Sequence, residues 1–143
     1  MRKFVSIAAA GALVALAVTS IALASQSASW STKLSAAQEV PKQVVKDAAA
    51  RGEFTATLSG SKLKWELRFS KLTGPATAAH IHMAAKGKAG AVVIPLCGPC
   101  KSGQEGTATI PASVKAAFGK HLLYVNVHTA KNAGGEIRGQ LGG

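Results

Sequence analysis

Tyr124-Val125-Asn126-Val127-His128-Thr129 and, after a short loop, Gly134-Gly135-Glu136-Ile137-Arg138-Gly139-Gln140-Leu141 are the stretches on which the fold is decided. Read at a period of two, the first places Tyr124, Asn126 and His128 on one face of a strand, and the second gives Glu136, Arg138 and Gln140 a common face on the next. Two adjacent strands therefore carry a concentrated polar face. Further back, Ala79-His80-Ile81-His82 repeats the pattern, because an i, i+2 pair on a strand points both imidazoles the same way. Glu136 and Arg138 stand two rises apart, about 7 Å, too far to assume a pair, so each needs a cross-strand partner.

Working outward, Phe54, Ala56 and Leu58 alternate with Glu53, Thr55, Thr57 and Ser59. After Ser59-Gly60-Ser61, Leu63, Trp65, Leu67 and Phe69 alternate with Lys64, Glu66, Arg68 and Ser70, the pattern of a half-buried antiparallel hairpin. A first strand starts over residues 33–37, and Gln38-Glu39-Val40-Pro41 turns the chain out of it; residues 42–50 form a helical turn or a long loop. Residues 91–96 and 107–110 supply further short strands. The one helix runs over 111–118, since proline is tolerated in a first turn, Val114, Ala117 and Phe118 share a face, and Gly119 is placed to end it. About eight short strands and one short helix, with no internal repeat, predict an all-β antiparallel β-sandwich, immunoglobulin-like with Greek-key connections.

Ahead of this lies a secretory signal pattern at residues 1–24: Arg2 and Lys3 form a basic start, residues 7–23 are apolar, and Ala22-Leu23-Ala24 offers a small-x-small cleavage site. Residues 25–31 then read as a polar linker and 32–143 as the single domain. Cleavage after Ala24 leaves 119 of the 143 residues, enough for one modest core. The mature chain then carries no transmembrane span, and no lipobox cysteine follows the apolar run. The expected destination is the periplasm or the extracellular space.

Without Arg2 and Lys3 the formal net charge falls from +11 to +9. The lysines are spread from Lys33 to Lys131 without interleaved aromatic residues on which bases could stack, which argues against nucleic acid. Such a surface suits anionic envelope polymers or an extracellular protein partner. The two cysteines form Cys97-Gly98-Pro99-Cys100, followed by Lys101, a string identical to the thioredoxin motif. In thioredoxins a helix follows and lowers the first thiol's pKa, whereas Lys101-Ser102-Gly103-Gln104-Glu105-Gly106 is too glycine-rich for one. In an exported chain the pair therefore reads as a disulfide pinning a loop.

His80, His82 and His128 are the candidates for a common site. Imidazole suits copper or zinc, and a strand pair completed by a third histidine from a neighbouring strand makes a three-nitrogen face with an open position. The alternative is a polar network in which the same histidines bond to Glu136, Asn126 or backbone carbonyls. Among the serines none has the strand-turn-helix elbow of a hydrolase nucleophile, and the six acidic residues suggest no catalytic pair, so no enzyme is expected. His121, beside Lys120 at a strand start, reads as solvent-exposed.

The C-terminal run, the histidine pair and Leu34-Ser35-Ala36-Ala37-Gln38-Glu39-Val40-Pro41 resemble the CHRD domain, the module named after chordin, in the family's order and over roughly residues 34–141. The resemblance implies the fold and secretion, but no settled biochemical activity. The growth-factor antagonism of chordin itself does not carry over to a small stand-alone chain. The expectation is an exported, non-enzymatic binding or structural module of the envelope or extracellular space, with a copper or zinc protein as the alternative.

Overall fold

The computed structural model describes residues 27–43 and 49–142. The signal pattern at 1–24 lies outside the described residues, as do residues 44–48 of the segment read as helical turn or loop. The strands are β1 (Ser27–Ser35), β2 (Arg51–Ser59), β3 (Lys62–Ser70), β4 (Ala76–Met83), β5 (Ala91–Cys97), β6 (Gln104–Thr109), β7 (Leu123–Thr129) and β8 (Ile137–Leu141). A 3-10 turn, Ala36–Gln38, comes after β1, and the helix α1 spans Ala112–Phe118 with Pro111 just before it and Gly119 just after.

All-β, antiparallel architecture is what the alternation predicts; the arrangement of the strands differs from expectation. They form one eight-stranded sheet, in the order β5-β4-β7-β8-β1-β2-β3-β6, which curls until its edges β5 and β6 approach each other, close to a barrel. The reason is β1. It pairs with β2 at every position from Ser27 to Ser35 and meets β8 at Ser35–Arg138, so it joins two halves that would otherwise be separate sheets. Most of the segment expected as a linker at 25–31 is thus strand, its Ser-rich composition hiding a nine-residue ladder. Gly139 permits the close passage of β8, because a Cβ there would come 2.6 Å from the Lys33 carbonyl oxygen.

The predicted hairpin is β2–β3. Ser59 pairs with Lys62 across the turn, and Gly60 sits at φ +62°, a conformation that favours glycine. Phe54, Ala56 and Leu58 of β2 and Leu63, Trp65 and Leu67 of β3 are buried, with Phe54 and Trp65 stacked at 6.5 Å between ring centroids. Helix α1 adds Val114, Ala117 and Phe118 to the core, and Phe118 packs on Trp30 at 4.7 Å. None of the described helices is long and apolar enough to cross a membrane.

Cys97 and Cys100 are joined. The chain beyond them enters a turn and then β6, not a helix. The loop ties the two ends of the sheet together: the Cys100 amide donates to the Ala76 carbonyl at 3.1 Å, and the Gly103 amide to Leu67 at 2.8 Å. The Ser102 hydroxyl accepts from the Phe69 amide at 2.8 Å and donates to the Phe69 carbonyl at 2.7 Å. Thiol titration of unreduced protein is expected to find no free sulfhydryl. Reduction should cost only about 2 kcal/mol, since the closed ring is so small; a loss far beyond that in urea unfolding would mean that the bridge holds more than its own loop.

The edge strand β6 meets the core through a gap in its side chains. Gly106 pairs with Trp65, and a Cβ at Gly106 would fall 2.6 Å from Cε2 and 3.0 Å from Nε1 of the indole. Gly106→Val is expected to destabilise the fold by about 1–3 kcal/mol through overpacking. Urea unfolding measures it, and combining it with Trp65→Phe, which removes the colliding ring edge, should recover part of the loss.

Candidate functional site

Three neighbouring strands, β4, β7 and β8, carry the polar face. Their register aligns it in rows: His80 opposes Asn126, which opposes Arg138, and His82 opposes Tyr124, which opposes Gln140. His128 stands opposite Ala78 in the next row. The residues between them, Ile81, Val125, Val127 and Ile137, turn into the core. β7 is consequently buried on both sides, apolar on one and polar on the other.

The three histidines converge. One ring nitrogen from each of His80, His82 and His128 lies within 4.8 Å of the others. Two of the rings are fixed by backbone carbonyls: His82 Nδ1 donates to Gly90 O and His128 Nδ1 to Ala133 O, both at 2.9 Å. Those bonds leave each Nε2 as a lone-pair nitrogen facing the cluster, the orientation by which a carbonyl prepares a metal-ligating histidine. His128 Nε2 accepts from His80 Nδ1 at 3.0 Å, while His82 Nε2 is buried with no partner among the described residues. Burial, followed by the proximity of His128 and His82, lowers the proton affinity of His80. Burial also lowers that of His128, aided by His82 and opposed by the bond to Ala133. Both rings are thereby held neutral, as metal ligation requires.

Beside the histidines, the Tyr124 ring lies between two partners. His82 stacks on it at 4.8 Å with 12° between the planes, and the Arg138 guanidinium carbon sits 3.4 Å from its centroid. Arg138 Nη2 donates to Gln140 Oε1 at 3.3 Å. The Gln140 amide is in turn spent on the carbonyls of Ala84 and His121, both at 2.9 Å.

Glu136 stands apart from this group. It immediately precedes β8, and its carboxylate accepts from the Thr73 amide, the Thr73 hydroxyl and the Thr129 hydroxyl, each at 2.6 Å, and from Asn132 Nδ2 at 3.1 Å. Burial would raise its pKa, but these donors together outweigh burial and hold it below the usual carboxylate value. Among the described residues no hydrogen bond or ion pair joins it to the histidines or to Arg138. Of the network partners weighed for the histidines, the backbone carbonyls are found and Glu136 is not, and His80 and His128 bond to each other besides. His121 is exposed, with Nδ1 bonded to the Gly142 carbonyl.

Glu39 is the site residue that sequence reasoning missed. It comes directly after the 3-10 turn, is 3 % exposed, and burial pushes its pKa up to about 7, against the opposing charge of Arg138, the Val40 amide and Asn126. Its Oε1, Asn126 Oδ1, Arg138 Nη1 and His82 Nε2 are the buried side-chain polar atoms without a partner among the described residues, and every one belongs to this face. Gly135, at φ +126°, leaves room for it: a Cβ there would lie 2.7 Å from Glu39 Oε1. The available signal was the Gln38-Glu39-Val40-Pro41 string, an acidic residue beside apolar ones at a strand exit.

Fold and site define an all-β domain with a buried, partly unsatisfied polar face laid over its sheet. The model of the CHRD domain family matches residues 30–141, and the chain belongs to that family. No curated protein and no solved structure matches it.

The raised pKa of Glu39 has a definite sign. The folded state holds that proton more tightly than the unfolded chain, so the contribution is full below pH 4.5 and is lost as pH rises through about 7. Glu39→Gln, which mimics the neutral form, is expected to be more stable than the wild type at pH 8 by on the order of 2–3 kcal/mol and near parity at pH about 4.5. Urea unfolding at the two pH values checks this, and equal differences at both would show that Glu39 does not titrate in this window. His80 and His128 act in the opposite sense, stabilising above about pH 6.5 and costing stability as pH falls.

Proposed function

We propose that this protein is an exported, non-enzymatic CHRD module of the cell envelope or extracellular space, whose binding element is a three-histidine site for Cu(II) or Zn(II). Export is supported by the signal pattern at 1–24 and by the Cys97–Cys100 disulfide, which suits an oxidising compartment. The formal +9 of the mature chain suits retention by anionic envelope polymers or contact with an extracellular protein.

The observation that carries the metal reading is His82 Nε2, buried and unpartnered within 4.8 Å of the ligand nitrogens of His80 and His128. Bonds of about 2.05 Å in a tetrahedral zinc site put neighbouring nitrogens about 3.4 Å apart, so the widest gap must close by roughly 1.4 Å. Side-chain rotation on a fixed pair of strands supplies such a movement. His80 Nδ1 must also give up the proton that it donates to His128, either to solvent or by moving it to Nε2. The His80–His128 bond at 3.0 Å supports a second reading, a polar network that fastens β4 to β7.

Calorimetric titration of metal-free protein, lacking the signal segment and any affinity tag, is expected to give one equivalent of Cu(II) or Zn(II) per chain. Affinity should fall as pH drops below about 6.5, where protons compete for the imidazoles. His82→Ala should abolish binding while leaving the His80–His128 bond intact. Absence of binding at neutral pH, or unchanged binding in that variant, would leave the network as the role of the histidines.

A further inference from the structure

Among the described residues Arg138 is a buried charge with no ion pair, the nearby opposing group being Glu39. It is 2 % exposed, and among the described residues the one ion pair joins Arg68 and Glu66, elsewhere on the sheet. One guanidinium face is taken by Tyr124 and Nη2 by Gln140, yet Nη1 has nothing. Leaving a buried cation unpaired is costly, typically several kcal/mol, unless something of opposite charge occupies the site. Glu39 is the adjacent carboxyl, but its Oε1 is itself unpartnered.

Both side chains line the same cavity, of about 330 Å³, together with Gln140, Lys42 and Lys86. The two lysines are exposed. The lining therefore carries three cationic side chains against one carboxyl. The volume lies at the low end of small-molecule sites, about 300–1,000 Å³.

We propose that this cavity binds a small hydroxy-carboxylate of sugar-acid size, its carboxylate on Arg138 Nη1 and a neighbouring hydroxyl donating to Glu39 Oε1. The two orphaned atoms select the ligand class. Arg138 asks for an anionic acceptor and Glu39 for a donor, and a carboxylate bearing a nearby hydroxyl brings both. Inorganic phosphate as a dianion has a single hydroxyl to donate, and sets its remaining charged oxygens beside Glu39 with no further donor to offer. A neutral sugar brings hydroxyls but leaves Arg138 uncompensated. Lys42 and Lys86 draw the anion in, and would meet further carboxylates if the unit ended a polyuronate chain. The site lies across β7 from the histidines and does not depend on their binding a metal.

The test is a heteronuclear NMR titration of metal-free, chelator-free protein at low ionic strength, following the side-chain resonances of Arg138 and Gln140. Glucuronate at millimolar concentration should shift them saturably, glucose should not, and inorganic phosphate should bind at least tenfold more weakly. Arg138→Lys, which keeps a charge but not the fork, should weaken glucuronate binding by about tenfold or more. Because that buried change could disturb folding, Lys42→Glu with Lys86→Glu provides a surface control, expected to fold normally and to weaken binding by about tenfold or less. Tighter binding of a short oligogalacturonate than of glucuronate identifies the polymer end as the source, and equal binding identifies the free acid. No saturable shift with glucuronate, an equal response to glucose, phosphate binding as tight as glucuronate, or full affinity in both variants would overturn the proposal.

Discussion

The constraint on which the rest of the molecule depends is that β7 is buried on both faces. A strand with one wet face needs only one apolar stripe, but β7 must satisfy two environments with alternate residues. Val125 and Val127 meet the core, while Tyr124, Asn126 and His128 meet a second, polar layer beneath the loops. Polar groups removed from water need partners. The neighbouring strands and loops supply most of them: Gly90 and Ala133 carbonyls for the histidines, Gly90 for the Tyr124 hydroxyl at 3.2 Å, and Arg138 for the Tyr124 ring. The few atoms left over are concentrated in one place, on the face shared by β4, β7 and β8.

The layer also explains the glycines around it. Gly90 offers its carbonyl to His82 where a Cβ would come 2.7 Å from the Met83 carbonyl carbon, and Gly135 makes room for Glu39. Glu136 and Glu39 form an instructive contrast. Both are buried carboxyls near β8, yet Glu136 has four donors and stays ionised, while Glu39 is under-provided and holds its proton to about pH 7. Burial alone does not decide the charge of an acid; the count of donors aimed at it does.

Much of this was legible in the sequence because side-chain alternation is a local signal. The β2–β3 hairpin, the helix ending at Gly119 and the shared face of Tyr124, Asn126 and His128 come from spacing alone. Two things were not legible for a common reason. The first half of β1, Ser27-Ala28-Ser29-Trp30-Ser31, has a linker's composition, and only its long-range pairing with β2 makes it a strand. That pairing turns an expected two-sheet sandwich into one curled sheet. Glu39 likewise looks like a turn residue until the chain brings it against Arg138, about a hundred positions away in sequence. Glu136 shows the converse limit: parity placed it with Arg138, but it lies just before β8 begins, where the alternation no longer governs where its carboxylate goes.

The curling of the sheet bears on how such a chain survives at high local concentration. A sheet of eight strands has two edges, each a row of unpaired amides and carbonyls that can recruit another chain. Here one edge strand contains Pro95, which has no amide hydrogen to offer, and the other is six residues long and carries Glu105. The Cys97–Cys100 loop, bonded to both β4 and β3, keeps the two edges turned toward each other instead of toward neighbours. A protein rich in β structure would otherwise be an efficient seed for fibres when crowded; this one presents little template for strand addition.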